Sequence, residues 1–336
     1  MILDVKVTFH TAVAAGDENQ LYVWLVRMGE LIANEGLSQQ VAISIFVDGD
    51  VNIAELPKLP CVIRMCKGSD NRTYGSELLR MAALNEALSP ACATSVFMGL
   101  NVLPVRTLKP FMMIAKTDAI DHAALCHGRN RTNELKEEMI DEHFRRLVIS
   151  TNYYSSDLMV FDVDKTSRKL AAMRTFDLVE RRQQIKNQGD SIIDDILNKL
   201  LPTTNSFRNN DVYFVNPLTI IEDSDPVLSS MREKAYQAQG AVVFDRDNLP
   251  WELNDGTTIA KVTPYGEYAT AALRAHKWLH PDFLRSVLVK ANYYSKLDGE
   301  RRFRLPELLV DALNSDTPAS EIHDIVCQLK QEGSLQ

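Results

Sequence analysis

The residues whose types could do chemistry sit where apolar runs stop. Thr11 and its neighbour His10 end the first run, Asp48 closes the second, and Lys67 follows the third. A fourth run, Ser95-Val96-Phe97-Met98-Gly99-Leu100-Asn101-Val102-Leu103-Pro104, contains the small polar tip Gly99-Leu100-Asn101. If the runs are neighbouring parallel strands, these positions share one rim, and the carboxyl ends of such strands are where ligands sit. The rim carries no G-x-G-x-x-G and no G-x-x-x-x-G-K-[ST], so a dinucleotide fingerprint and a P-loop are both unsupported. Further on, Asp194 and Asp195 lie in the first turn of a short helix begun at Asp190 or Ser191. Acids there complement a helix N-terminus, but Asp190 already meets the capping need, which leaves the pair available for chemistry. Trp251 follows Pro250 and serves either as a stacking surface or as packing. Arg129 and Arg131 read as solvated charge.

These positions require a frame. The opening run Ile2-Leu3-Asp4-Val5-Lys6-Val7-Thr8-Phe9 alternates as a strand does, and residues 21–34 place apolar side chains at helical spacing before Gly36 stops them. Val41-Ala42-Ile43-Ser44-Ile45-Phe46-Val47 and Cys61-Val62-Ile63-Arg64-Met65-Cys66 predict two more strands, and residues 76–88 a helix ended by Pro90. Continuous apolar strands alternating with helices indicate a largely parallel sheet covered on both faces. Residues 133–146 read as an exposed helix, residues 158–163 and 240–244 as strands, and 190–201 as a helix. From about Pro264 the pattern is helical, over residues 265–279, 281–293, 306–313 and from 318 onward with Thr317 as cap.

With 336 residues the chain is expected to form one large α/β unit with a smaller appended one, 1–260 and 261–336. A net charge of −8 argues against sequence-wide affinity for nucleic acid or membrane surfaces. Residues 261–310 depart from this, with nine basic against five acidic residues. That surplus is a solvated helix face or a contact with an anionic partner. Five cysteines without a C-x-x-C pair suggest neither a disulfide framework nor a zinc site, but reduced thiols packed as small core residues. The absence of a charged leader and of a long apolar run sets the expectation of a cytoplasmic protein without a transmembrane segment.

The order of these pieces resembles the nucleotide-sugar-dependent glycosyltransferases of the A-type, Rossmann-like fold, and most of all the retaining family of lipopolysaccharide galactosyltransferases and glycogenin. That family begins with a strand ending in a small acidic nucleotide loop, matched by residues 10–17. A helix with a Tyr/Ser…Arg segment follows, matched by Thr73-Tyr74-Gly75-Ser76-Glu77-Leu78-Leu79-Arg80. Its Asp-x-Asp strand corresponds to Phe97-Met98-Gly99-Leu100-Asn101-Val102-Leu103, and its Tyr-Phe-Asn-x-Gly strand to Tyr153-Tyr154-Ser155-Ser156-Asp157. Its Asp-Gln-Asp-x-Leu-Asn helix corresponds to Ile193-Asp194-Asp195-Ile196-Leu197-Asn198. Its last block, His-x-x-Gly-x-x-Lys-Pro-Trp, aligns without gaps to Val243-Phe244-Asp245-Arg246-Asp247-Asn248-Leu249-Pro250-Trp251. The likeness spans roughly residues 1–255 and rests on order and spacing.

The resemblance implies a mixed α/β sheet with a C-terminal helical segment and a nucleotide-sugar donor, with an acceptor left open between saccharide, glycolipid and nucleic acid; the chain's departures from the family's metal-binding pattern imply that the usual metal is not used. The family's two aspartates and distal histidine bind a divalent cation, manganese or magnesium, which neutralises the departing diphosphate. Here those positions are Gly99, Asn101 and Val243, and the diphosphate-contacting lysine is Leu249. Two readings follow: fixed cations such as Arg246, Arg80, Arg72 or Lys67 replace the metal, or the fold is kept as a nucleotide- or sugar-binding module without catalysis. Under the first reading Asp194, Asp195 and Arg246 are catalytic, and His10, Thr11, Tyr74, Arg80, Gly99, Asn101 and Ser155 bind the nucleotide sugar. Trp251, Arg301 and Arg302 then bind the acceptor.

Overall fold

A computed structural model gives the fold of the chain. It describes residues 5–49, 51, 53, 55–67, 79, 83, 87, 94–100, 102–104, 107–114, 122–126, 154–162, 205–207, 212–214, 264–297, 304–315 and 317–335. The strands are β1 (Val7–Val13), β2 (Val41–Val47), β3 (Val62–Lys67), β4 (Thr94–Met98), β5 (Val102–Pro104), β6 (His122–Cys126), β7 (Tyr154–Asp162), β8 (Asn205–Phe207) and β9 (Val212–Phe214). The helices are α1 (Glu18–Asn34), α2 (Lys109–Ile114), α3 (Pro264–Ala275), α4 (Pro281–Leu297), α5 (Glu307–Asn314) and α6 (Ala319–Gln331), with a 3-10 turn at His276–Trp278.

Seven strands form one mixed sheet in the order β3-β2-β1-β4-β7-β6-β8, and β5 pairs with β9 apart from it. Strands β1 to β4 are parallel to one another where they pair, whereas β7 runs antiparallel to both β4 and β6. The β-branched run Val41–Val47 is buried along its whole length, as an inner strand covered on both faces should be. Register puts Phe9, Thr11 and Val13 level with Ile43, Ile45 and Val47, and Phe9 level with Val96. This face joins the main apolar cluster, where Phe9 meets Phe111 of α2 edge to face at 5.6 Å between ring centres. The opposite face carries Thr8, His10, Ser44 and Ser95, all buried.

Helix α1 buries Leu21, Trp24, Leu25, Met28, Leu31 and Ile32, the spacing of one helical face. It stops at Gly36, which takes φ +66°, while Leu37 N–H donates to Ile32 O and Gly36 N–H to Ala33 O. That is a left-handed helix terminus, and it suits a residue without Cβ. Helices α3 to α6 lie in the same apolar cluster as the sheet: Tyr268, Leu284, Leu309 and Val326 belong to it together with Val7 and Ile43. Residues on the two sides of position 260 therefore share one core. Arg274 of α3 pairs with Glu30 of α1, and His280 N–H donates to Asn19 Oδ1 at 2.9 Å across 261 residues of chain.

Three expectations about local structure are corrected. The run from Ser95 to Pro104 is two strands rather than one, because the chain turns at Gly99, where Val102 N–H donates to Gly99 O at 2.9 Å. Residues 276–279 leave the helix for a 3-10 turn. Finally, α6 has Pro318, not Thr317, at its N-cap, and Thr317 Oγ1 is hydrogen-bonded to Ser315 Oγ instead. The expected segments 133–146, 190–201 and 240–244 lie outside the described residues. Among the described residues no helix is long and apolar enough to cross a membrane.

Candidate functional site

The rim is built by the carboxyl ends of β1, β2, β3 and β4. Val13 is level with Val47, Val47 with Lys67, and His10 with both Ser44 and Phe97. Asp48 N–H donates to Val13 O at 3.0 Å, which ties the ends of β1 and β2 together just where the rim begins. The Asp48 side chain is buried, and its Oδ1 accepts Gly49 N–H at 3.0 Å.

Antiparallel β7 brings a distant part of the sequence to the same edge. Leu158 pairs with Met98, the last residue of β4, so Ser155 lies three residues further out, on the side toward which Gly99 and Leu100 emerge. Along β6 the register jumps: Ala124 pairs with Met159 but Leu125 with Ser155, so the irregularity falls across residues 156–158. Such breaks re-aim a strand and are over-represented next to active sites.

His10 and Thr11 lie within β1, three and two residues short of its end at Val13, so the strand runs past the expected end of its apolar run, and both have little surface. His10 is 5% exposed, on the polar face, with Nε2 hydrogen-bonded to Ser95 Oγ at 3.2 Å. Burial pushes its imidazole down to about 4, so the ring is neutral at physiological pH. Thr11 has no exposed surface, and its Oγ1 has no hydrogen-bond partner among the described residues. Any contact from Thr11 to a ligand in this conformation would come from its main chain. Gly99 stands at the tip without a side chain to offer.

Asp17 is a rim group that the sequence reading mentioned only as the end of the first loop. It is the N-cap residue of α1, and burial pushes its carboxyl above the usual range, opposed by a hydrogen bond from Ala14's side of the turn and reinforced by Glu18. Gly16, at φ +96°, turns the chain before it and donates its N–H to Glu18 Oε2 at 2.9 Å. The signal available was its position: an acid directly preceding an amphipathic helix after a strand.

Tyr74, Arg80, Asn101, Asp194, Asp195, Arg246, Trp251, Arg301 and Arg302 lie outside the described residues, as do Arg72, Arg129, Arg131, Val243 and Leu249. Among the described residues no three His, Cys, Asp or Glu side chains cluster in a way that could hold a metal ion. At the tip, where the family resemblance would put the first metal-binding carboxylate, Gly99 offers no side-chain oxygen.

No protein-family model matches the chain, and no curated protein matches it in sequence. Solved structures similar to it include glycosyltransferases. The galactosyltransferase LgtC, in complex with donor and acceptor sugar analogs, is 12% identical with a TM-score of 0.40, over 60% of this chain and 74% of that one. The glycosyltransferase GlyE of Streptococcus pneumoniae TIGR4 is 11% identical with a TM-score of 0.40, over 61% of this chain and only 46% of its own. Mouse xyloside xylosyltransferase 1, in its apo form, is 7% identical with a TM-score of 0.36, over 62% and 86%. Likeness this loose carries no argument about activity.

Proposed function

We propose that the chain is a glycosyltransferase that takes a sugar from a uridine diphosphate sugar and transfers it with retention, without a divalent metal. The observation that carries this reading is the β4–β7 pairing, which sets the Gly99-Leu100 tip beside the strand that holds Ser155. These are two of the blocks on which the family resemblance rests, more than fifty residues apart in sequence, and a donor site needs them adjacent. The mixed sheet, with its polar-ended parallel strands, supports the same reading.

In this proposal residues 1–260 hold the donor and 261–336 help to hold the acceptor, in a cytoplasmic protein. Tyr74, Arg80, Asn101, Ser155 and the main chain around Thr11 grip the nucleotide sugar. Arg246, aided by Arg80, supplies the positive charge that stabilises the departing diphosphate, as a bidentate guanidinium can. Asp194 stabilises positive charge developing at the anomeric carbon, and Asp195 accepts hydrogen bonds from sugar hydroxyls. Trp251, Arg301 and Arg302 face an anionic acceptor.

The test is nucleotide release from a panel of nucleotide sugars, with and without acceptors, in the presence of EDTA. Turnover that EDTA leaves unchanged is expected, and Arg246→Ala should lower it about a hundredfold while the melting temperature holds. Nucleotide binding with no turnover on any donor would leave a binding module instead. Activity that dies in EDTA and returns with manganese would overturn the metal-free mechanism.

A further inference from the structure

Away from the rim, a groove of about 860 Å³ opens between the second half of α1, the segment 55–60 and the corner where α3 passes into the 3-10 turn. Its nearest α1 residue to the rim is Val26, eight residues along from the rim-side Glu18, so about 12 Å away at the rise of an α-helix. Gly29 lets segment 55–60 lie against the helix, since a Cβ there would stand 2.5 Å from Leu59 Cδ2. The groove is sized for a small molecule rather than a macromolecule.

Its lining combines three chemistries. Arg274, Lys277 and Lys58 bring positive charge, Glu30 and Glu55 bring carboxylates, and Leu56, Leu59, Pro60 and Trp278 bring apolar surface. Glu30 is already shared between Arg274 and Arg27, the latter at 3.3 Å, so it does not fully offset Arg274. Lys277 Nζ rests 4.0 Å from the Trp278 ring centre, exposed and without a carboxylate partner among the described residues. Behind the corner stands Lys330 of α6, whose ammonium is pushed down by burial first and then by the charge of Arg274. The potential here is net positive, yet an acid is retained at the groove's open edge in Glu55.

Cations beside a hydrogen-bond-accepting carboxylate and an apolar wall fit a ligand with an anionic group, hydroxyl donors and a ring face. We propose that this groove is a binding site for a small phosphorylated sugar. Lys58, Arg274 and Lys277 take the phosphate, as charge-assisted donors do, Glu55 accepts from hydroxyls, and the ring lies along Leu56, Leu59 and Pro60, since Trp278 is already stacked on Tyr22. The site does not depend on the rim being a glycosyltransferase centre.

The experiment is calorimetric titration of the full chain at low salt with glucose 6-phosphate, glucose and inorganic phosphate. Glucose 6-phosphate is expected to bind at least about tenfold more tightly than either of the others, and Lys58→Gln/Lys277→Gln should weaken it about tenfold or more. Lys109→Gln, an exposed charge removed outside the groove, should leave it unchanged. If the double variant does not fold, each single variant should give a smaller loss in the same direction. No binding, equal binding of inorganic phosphate, or binding that ignores the two lysines would overturn the proposal, and the last would locate the ligand at the rim or elsewhere.

Discussion

Take His10, a neutral imidazole sealed between β2 and β4. In the unfolded chain such a group titrates near 6.5, whereas burial holds it at about 4 in the fold. Between those values the unfolded chain binds a proton that the native state refuses. The stabilising effect is therefore complete above about pH 6.5 and is lost as pH falls toward about 4. At about 1.4 kcal/mol per pH unit, the gap amounts to about 3 kcal/mol, of which about 2.5 kcal/mol falls between pH 7.5 and 4.5. Urea unfolding of wild type and His10→Gln at steps across that range reads it directly. Gln keeps a group able to hydrogen-bond Ser95 Oγ but cannot take up the proton. Other titrating groups, His276 among them, act equally in both proteins, so the difference between the curves isolates His10. The wild type should lose about 2.5 kcal/mol more than the variant on acidification. Parallel curves, within about 0.5 kcal/mol, would refute the claim that this imidazole is buried and neutral.

Phe111→Ala should cost about 3–5 kcal/mol, because the ring is fully buried and meets Phe9 edge to face; a urea midpoint that barely moves would show that α2 is not part of the core. Tyr268→Phe should raise stability by about 1 kcal/mol with an unchanged urea slope, since the buried hydroxyl has no partner among the described residues. A loss instead would reveal a hydrogen bond that this packing does not contain.

Strand β2 was legible to the residue because Val41–Val47 is a largely β-branched run between turn formers. The same property hid the division between β4 and β5. The apolar residues on either side of Gly99-Leu100-Asn101 show no period that would separate two strands, so the turn at Gly99 is marked only by that short tip and by pairing partners far along the chain. The alternation Phe9, Thr11, Val13 against Thr8, His10, Ala12 already separates two faces. Which face would meet helices and which would hold the His10–Ser95 hydrogen bond depends on neighbours 34 and 85 residues away. Asp17 was visible as an acid before a helix, but its half-buried carboxyl is a product of packing. The groove was beyond reach for a similar reason: Glu30, Lys58 and Arg274 come from three separate stretches. Part of the basic surplus read in residues 261–310 turns inward, as Arg274 does toward Glu30.

The shared core of α1 and the C-terminal helices sets a schedule for synthesis. A ribosome adds about 5–20 residues per second, so Asn19 waits on the order of tens of seconds for the His280 amide that it will accept, separated from it by 261 residues. Until then α1 can cover the sheet on one side, but Tyr22, later stacked on Trp278, and the carboxylate of Glu30, later paired with Arg274, face an unfinished surface. The nascent chain must therefore carry its first helix half-dressed through most of translation, and a stall before residue 264 would leave α1 without these contacts.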